Sequence, residues 1–131
     1  MNKLLAILML FACGLAHAQV SQIQPILPCG NTQTVTAATS APTPVQAQCG
    51  TSTNNTQYVV TNTGSVTAFV TYAGTSALAT TNCVIPTSTA TAVYVVLPMS
   101  QITMTAGGGS WFCALTSSGT AVIYIMPGVG S

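Results

Sequence analysis

The chain has 131 residues, enough for one domain, and 49% of them are hydrophobic while 1% are charged. Lys3 is the only Lys or Arg, His17 the only histidine, and there is no Asp or Glu. Beyond residue 18 this excludes triad hydrolysis, acid–base catalysis by His or carboxylates, carboxylate calcium sites, and Arg/Lys recognition of phosphate or nucleic acid.

The first 18 residues carry Lys3, an apolar run from Leu4 to about Leu15 and the triplet Ala16-His17-Ala18. This pattern predicts a secretory signal peptide over residues 1–18, cleaved after Ala18. The run is shorter than the roughly 20 residues needed to span a bilayer, so no membrane association is expected after cleavage. Leu10-Phe11-Ala12-Cys13-Gly14 offers a competing route, similar to a lipobox, that would anchor Cys13 by a lipid. Cleavage at Ala18 removes both Lys3 and His17, leaving 113 residues (131 minus 18) with no charged side chain. Soluble domains draw about a quarter of their residues from the charged set. A chain with no net charge lacks the repulsion that keeps copies apart, and self-association is the expected consequence.

Residues 19–31 read as an extended N-terminal arm. Val20, Ile23, Ile26 and Leu27 are its apolar points, and Pro25 and Pro28 rule out a helix. Two destinations stay open: the arm packs along its own domain, or it lies in the groove of a neighbouring copy as a donated strand.

Residues 32–131 read as one all-β domain, an antiparallel sandwich or jelly-roll-like barrel of seven to eight short strands. In chain order the segments are TQTVTA, QYVVTN, VTAFVTY, CVIP, AVYVVLP, QITMTA, WFCALT and AVIYIM, separated by Gly, Ser, Thr, Asn and Pro. Residues 38–53 form a Pro-, Thr- and Ala-rich loop that Cys49 is expected to pin. Asn62-Thr63-Gly64-Ser65 predicts a hairpin joining Tyr58-Val59-Val60 to the strand with Val66, Ala68, Val70 and Tyr72 on one face. Residues 73–82 read as a loop, and no helical period follows Ala18. Residues 92–97 are apolar on both faces and suggest a strand buried on both sides. Ile102 and Met104 share a face, Trp111, Cys113 and Leu115 point together, and Val122, Tyr124 and Met126 are expected to close the sheet.

Cys29, Cys49, Cys83 and Cys113 form an even set in a chain expected to leave the cytoplasm, so two disulfides are predicted. Of the three pairings possible, Cys29 with Cys49 would staple the root of the arm to the long loop, and Cys83 with Cys113 would cross the core. Zinc is disfavoured without a C-x-x-C spacing or a histidine beyond residue 18, and no metal or other cofactor is expected. Asn54-Asn55-Thr56 matches a glycosylation sequon in a chain rich in both residue types. Residues 107–110, GGGS, are a turn, since no lysine follows to complete a phosphate loop. Tyr58, Tyr72 and Trp111 either stack on sugars or fill the core and subunit contacts, and the second role is the commoner one for aromatic side chains.

The segments Tyr58-Val59-Val60-Thr61-Asn62-Thr63-Gly64, Val66-Thr67-Ala68-Phe69-Val70, Val84-Ile85-Pro86 and the closing run from Gly119 to Gly130 resemble small β-domains of tailed-phage virion proteins of the decoration type. Those domains end on a similar Val, Tyr and Thr strand followed by Pro-Gly-x-Gly, here Pro127-Gly128-Val129-Gly130. The resemblance covers about residues 57–130 and implies a β-sandwich that packs against copies of itself, with no functional residues carried over. The signal peptide, the cysteines and the lack of acidic residues depart from that pattern and point to a similar scaffold used outside the cell.

The expected function is therefore a non-enzymatic structural subunit of a secreted, cell-surface homopolymer, a pilus-like or biofilm-matrix fibre that joins copies of itself by strand or arm exchange. The alternatives are a secreted carbohydrate- or surface-binding module and a phage-type coat component. Neither nucleic acid nor a membrane is an expected partner.

Overall fold

The computed structural model describes residues 26–51, 56–87 and 93–130. Val20, Ile23, Cys13, the predicted signal peptide and Asn54-Asn55 lie outside the described residues.

Nine strands and one short helix are described: β1 (Ile26–Pro28), β2 (Gln33–Ala37), β3 (Val45–Gln46), β4 (Thr56–Asn62), β5 (Ala68–Ala73), α1 (Ser76–Thr81), β6 (Tyr94–Val96), β7 (Ser100–Thr105), β8 (Trp111–Thr116) and β9 (Ala121–Gly130). They form two antiparallel sheets facing each other. One runs β1-β9-β4-β7, with β2 also pairing β9, and the other runs β3-β8-β5-β6. The expected all-β sandwich is what the chain forms.

The alternation of side chains explains the core. Tyr58, Val60, Ile123, Ile125, Val35 and Met104 point inward from the first sheet, and Val70, Val96, Phe112 and Ala114 from the second. Tyr58 and Phe112 meet edge to face at the middle, with ring centroids 4.6 Å apart. The buried Tyr58 hydroxyl lies 3.1 Å from the carbonyl of Ala47 and 3.3 Å from that of Gly109, tying β4 to two loops beneath the other sheet.

Several expectations change. The Asn62-Thr63-Gly64-Ser65 turn does not close a hairpin, because β4 pairs with β7 and β9 while β5 pairs with β6 and β8. The chain arches from one sheet to the other there, and again between β6 and β7 and between β8 and β9. Asn62 directs the first arch. Its buried side-chain amide accepts a hydrogen bond from Gly64 N–H (2.8 Å) and donates to the carbonyls of Val66 (2.8 Å), in the turn before β5, and of Val96 (3.0 Å) in β6 of the second sheet. Gly64 is required by close packing, since a Cβ there would stand 2.8 Å from Ala121 Cα.

Residues 76–81 are helical where a loop was expected. Thr75 caps the helix by accepting from Leu78 N–H at 3.3 Å, and only Ala79 of its residues is buried. Six residues are too few to show a period in sequence. CVIP is not a strand: Cys83 follows the helix with its N–H on Thr80 O, and Cys83, Cys113, Leu115 and Ile85 form a small second core on the outer side of β8. The strand within 92–97 is the edge strand β6, with Val96 buried but Tyr94, Val95 and Leu97 exposed. In β9 the core face is Ala121, Ile123 and Ile125, and Tyr124 is exposed on the opposite face. The long loop carries β3 and is pinned by Ala47 N–H on Ser110 O and by the Ala38–Leu115 bridge.

Candidate assembly surfaces

The four predicted cysteines are brought together in two pairs. Cys29 bonds Cys49 across 20 residues, with Cα atoms 5.0 Å apart, at the junction between β1 and the long loop. Cys83 bonds Cys113 across 30 residues, with Cα atoms 5.8 Å apart. The second bond does not cross the core between the sheets; it straps the helix and the 83–85 segment to the outer face of β8. It gives β8 a covering on both sides, which is why Trp111–Thr116 is buried at nearly every position.

The predicted arm divides. Of its two open destinations, Ile26 and Leu27, candidates for subunit contact, take the first: they lie in β1 and pair with Gly130 and Val129 of their own β9. β1 and β2 follow each other along the same side of β9, interrupted at Cys29–Thr32. Gly128 makes this possible, because a Cβ on it would overlap the side chain of Ile26. Pro28 suits this place, as the edge of a sheet tolerates a residue without an N–H. An arm free to leave the domain is therefore confined to residues before Ile26.

The opposite side of the sandwich is open. Among the described residues no strand lies beyond β6 in one sheet or beyond β7 in the other. Neither β6 nor β7 contains a proline or a charged residue, two of the devices that guard an edge, although β6 is itself only three residues long. Leu97 and Met99, between these two strands, are exposed, and Met99 has φ 49°, left-handed backbone that a non-glycine side chain adopts at a cost. Leu97 ends the segment expected to be buried on both faces, and its exposure corrects that expectation.

The outer face of the larger sheet is polar without being ionic. Thr34, Tyr124, Thr61 and Gln101 lie in one cross-strand row, and the Thr61 hydroxyl meets Gln101 Oε1 at 3.3 Å. Of the aromatics singled out in sequence, Tyr58 is buried and Tyr72 packs against Phe112 and Tyr94. Trp111 is half-buried. None of the three forms an open stacking platform. Among the described residues no three His, Cys, Asp or Glu side chains gather as for a metal ion, and no helix is long and apolar enough to cross a membrane.

No family model and no curated protein matches this sequence. Among solved structures, the chain is similar to one from the Bacillus endospore appendages, described as a novel family of disulfide-linked pili. Identity is 16%, the TM-score is 0.38, and the match covers 82% of this chain and 91% of that one. A likeness of that size carries no argument about function.

Proposed function

We propose that this chain is the structural subunit of an extracellular homopolymeric filament, a pilus-like or matrix fibre, and that it performs no catalysis. The observation that supports this reading most is the unguarded β6–β7 side of a domain in which no described residue carries a charge. Soluble monomers protect such edges with lysine, proline or a bulge, because open N–H and C=O groups pair with any strand that arrives. Among the described residues nothing pairs with this edge, and no charged side chain opposes a second copy. The two disulfides accord with export to an oxidising compartment. In this reading residues 19–25, expected to follow a cleaved signal peptide, extend from β1 and exchange into the next subunit.

Electron microscopy and light scattering of the secreted, processed protein test the reading. Fibres of uniform width are expected, and a monodisperse monomer at high concentration would sink it.

A second reading has one observation in its favour. Tyr124 stands exposed in a neutral row of Thr34, Thr61 and Gln101, a surface suited to a neutral glycan. Retention on insoluble polysaccharides that is lost in Tyr124→Ala would support it.

A further inference from the structure

Two exposed apolar patches stand at opposite ends of the sandwich. At the end where β4 finishes and β9 begins, Leu97 and Met99 are 58% and 77% exposed, and Val95 adjoins them. At the end where β9 finishes, Leu27 and Val129 are 54% and 40% exposed, and they are direct cross-strand partners. The ten residues of β9 separate the two ends, about 30 Å at the usual rise per residue.

We infer that these patches are the two halves of one head-to-tail contact: the Leu27–Val129 end of one copy covers the Leu97–Met99 knob of the next. The inference rests on the filament reading and adds to it which surfaces meet and with what polarity. Three observations favour a second copy as the occupant. The patches are matched in chemistry, apolar on both sides with no charged side chain among the described residues. They sit on one rigid sandwich at opposite ends, so neither can satisfy the other within a molecule. The chain preceding Ile26 joins the domain beside Leu27, so the apolar points Val20 and Ile23 belong to a segment that starts at one of the two patches.

The knob itself is shaped at some cost. Met99 holds left-handed backbone, with its N–H on Gly64 O at 3.2 Å, and presents its side chain to solvent at the arch. A glycine would sit there without strain, so folding alone does not call for this side chain. Contact between two different surfaces of identical subunits is heterologous and propagates without closing, which gives a filament with two unlike ends. Contact of either patch with itself would stop at a dimer.

The test uses three variants of the processed protein: Leu97→Gln with Met99→Gln, Leu27→Gln with Val129→Gln, and Met99→Gly alone. All the changes fall on exposed side chains, and circular dichroism and thermal melts check that each variant folds. Each double variant alone is expected to stay monomeric at concentrations where the unaltered protein forms fibres, its critical concentration raised at least about tenfold by loss of the central contacts. Mixed in equal amounts, the two are expected to give discrete 1:1 dimers and nothing longer, since one intact knob remains to meet one intact Leu27–Val129 patch. Met99→Gly is expected to melt higher than the unaltered protein yet assemble less readily. Normal polymerisation by either double variant, or a mixture that yields no heterodimer, would overturn the head-to-tail contact while leaving the filament intact. An unaltered protein that never polymerises removes the filament reading itself, and this inference with it.

Discussion

Asn62 is the side chain on which the sandwich most depends, and replacing it makes a quantitative prediction. Its amide is fully buried and makes three hydrogen bonds, to Val66 O, Val96 O and Gly64 N–H. Asn62→Ala removes all three and leaves two carbonyls and one N–H to find other partners. A net hydrogen bond contributes about 1 kcal/mol, and a buried group stranded without one costs about 1–3 kcal/mol, so the loss is expected to be about 3–5 kcal/mol. That is a large share of the roughly 5–15 kcal/mol that holds a domain together. Asn62→Asp sharpens the test. Protonated, the carboxyl still accepts from Gly64 and donates to one carbonyl; ionised, it faces two carbonyl oxygens and has no proton to give. Burial raises its folded-state pKa above the unfolded value of about 3.9. Stability of this variant should therefore be highest below about pH 4. It should fall by about 1.4 kcal/mol per pH unit as pH rises toward the folded pKa, because the unfolded chain gives up its proton first. Urea denaturation of dilute, demonstrably monomeric protein at pH 3, 5 and 7 measures both effects. A loss below about 1 kcal/mol in Asn62→Ala, or a flat pH response in Asn62→Asp, would refute the role assigned to this side chain.

Other outcomes follow from the same structure. Replacing Cys83 and Cys113 by Ser should cost about 3.6 kcal/mol from the 30-residue separation, read as a thermal melt lowered by more than about 10 °C, while the inter-sheet core retains its near-ultraviolet signal. Gly128→Val should expel Ile26 from its place and expose the end of β9, seen as faster amide exchange at Val129 and Gly130 with β2 unaffected. Deleting residues 19–24 should leave a folded monomer, whereas deleting residues 19–28 also strips β1 from β9 and should lower stability, which unfolding curves of the two truncations would separate. Fibre length of the processed chain should hardly change between about pH 4 and 9 or with salt, since no Asp, Glu, Lys, Arg or His is present to titrate or be screened; dissociation in mild acid would contradict this.

The proposed assembly surface was only partly legible in sequence. Ile26 and Leu27 drew attention as apolar points, but whether an extended segment lies on its own sheet or a neighbour's depends on what stands beside it. Here that is Gly128, a residue about a hundred positions away that leaves room for Ile26. Residues 92–97 suggest a strand buried on both sides, yet Leu97 is exposed, because an apolar residue at the end of a strand looks the same in sequence whether it turns inward or outward. Tyr124 was likewise placed with the residues that close the sheet, and it is Ile123 and Ile125 that do so.

Composition and alternation alone determined that the chain forms a charge-free, cysteine-bearing β-sandwich, and they grouped Ala68 with Val70 in β5 and Ile102 with Met104 in β7 on the faces that pack into the core. They did so because burial on one face of a pleated strand requires a period of two, which the chain carries locally. Only the tertiary structure decided which sheet each strand joins, because the same in-and-out pattern serves a hairpin and an arch equally. The Asn62 turn reverses the chain in either case. What sends β5 across to the other sheet is the local reach of the Asn62 amide to Val66, joined by its bond to Val96 and the packing of Gly64 on Ala121, two contacts between residues distant in the chain.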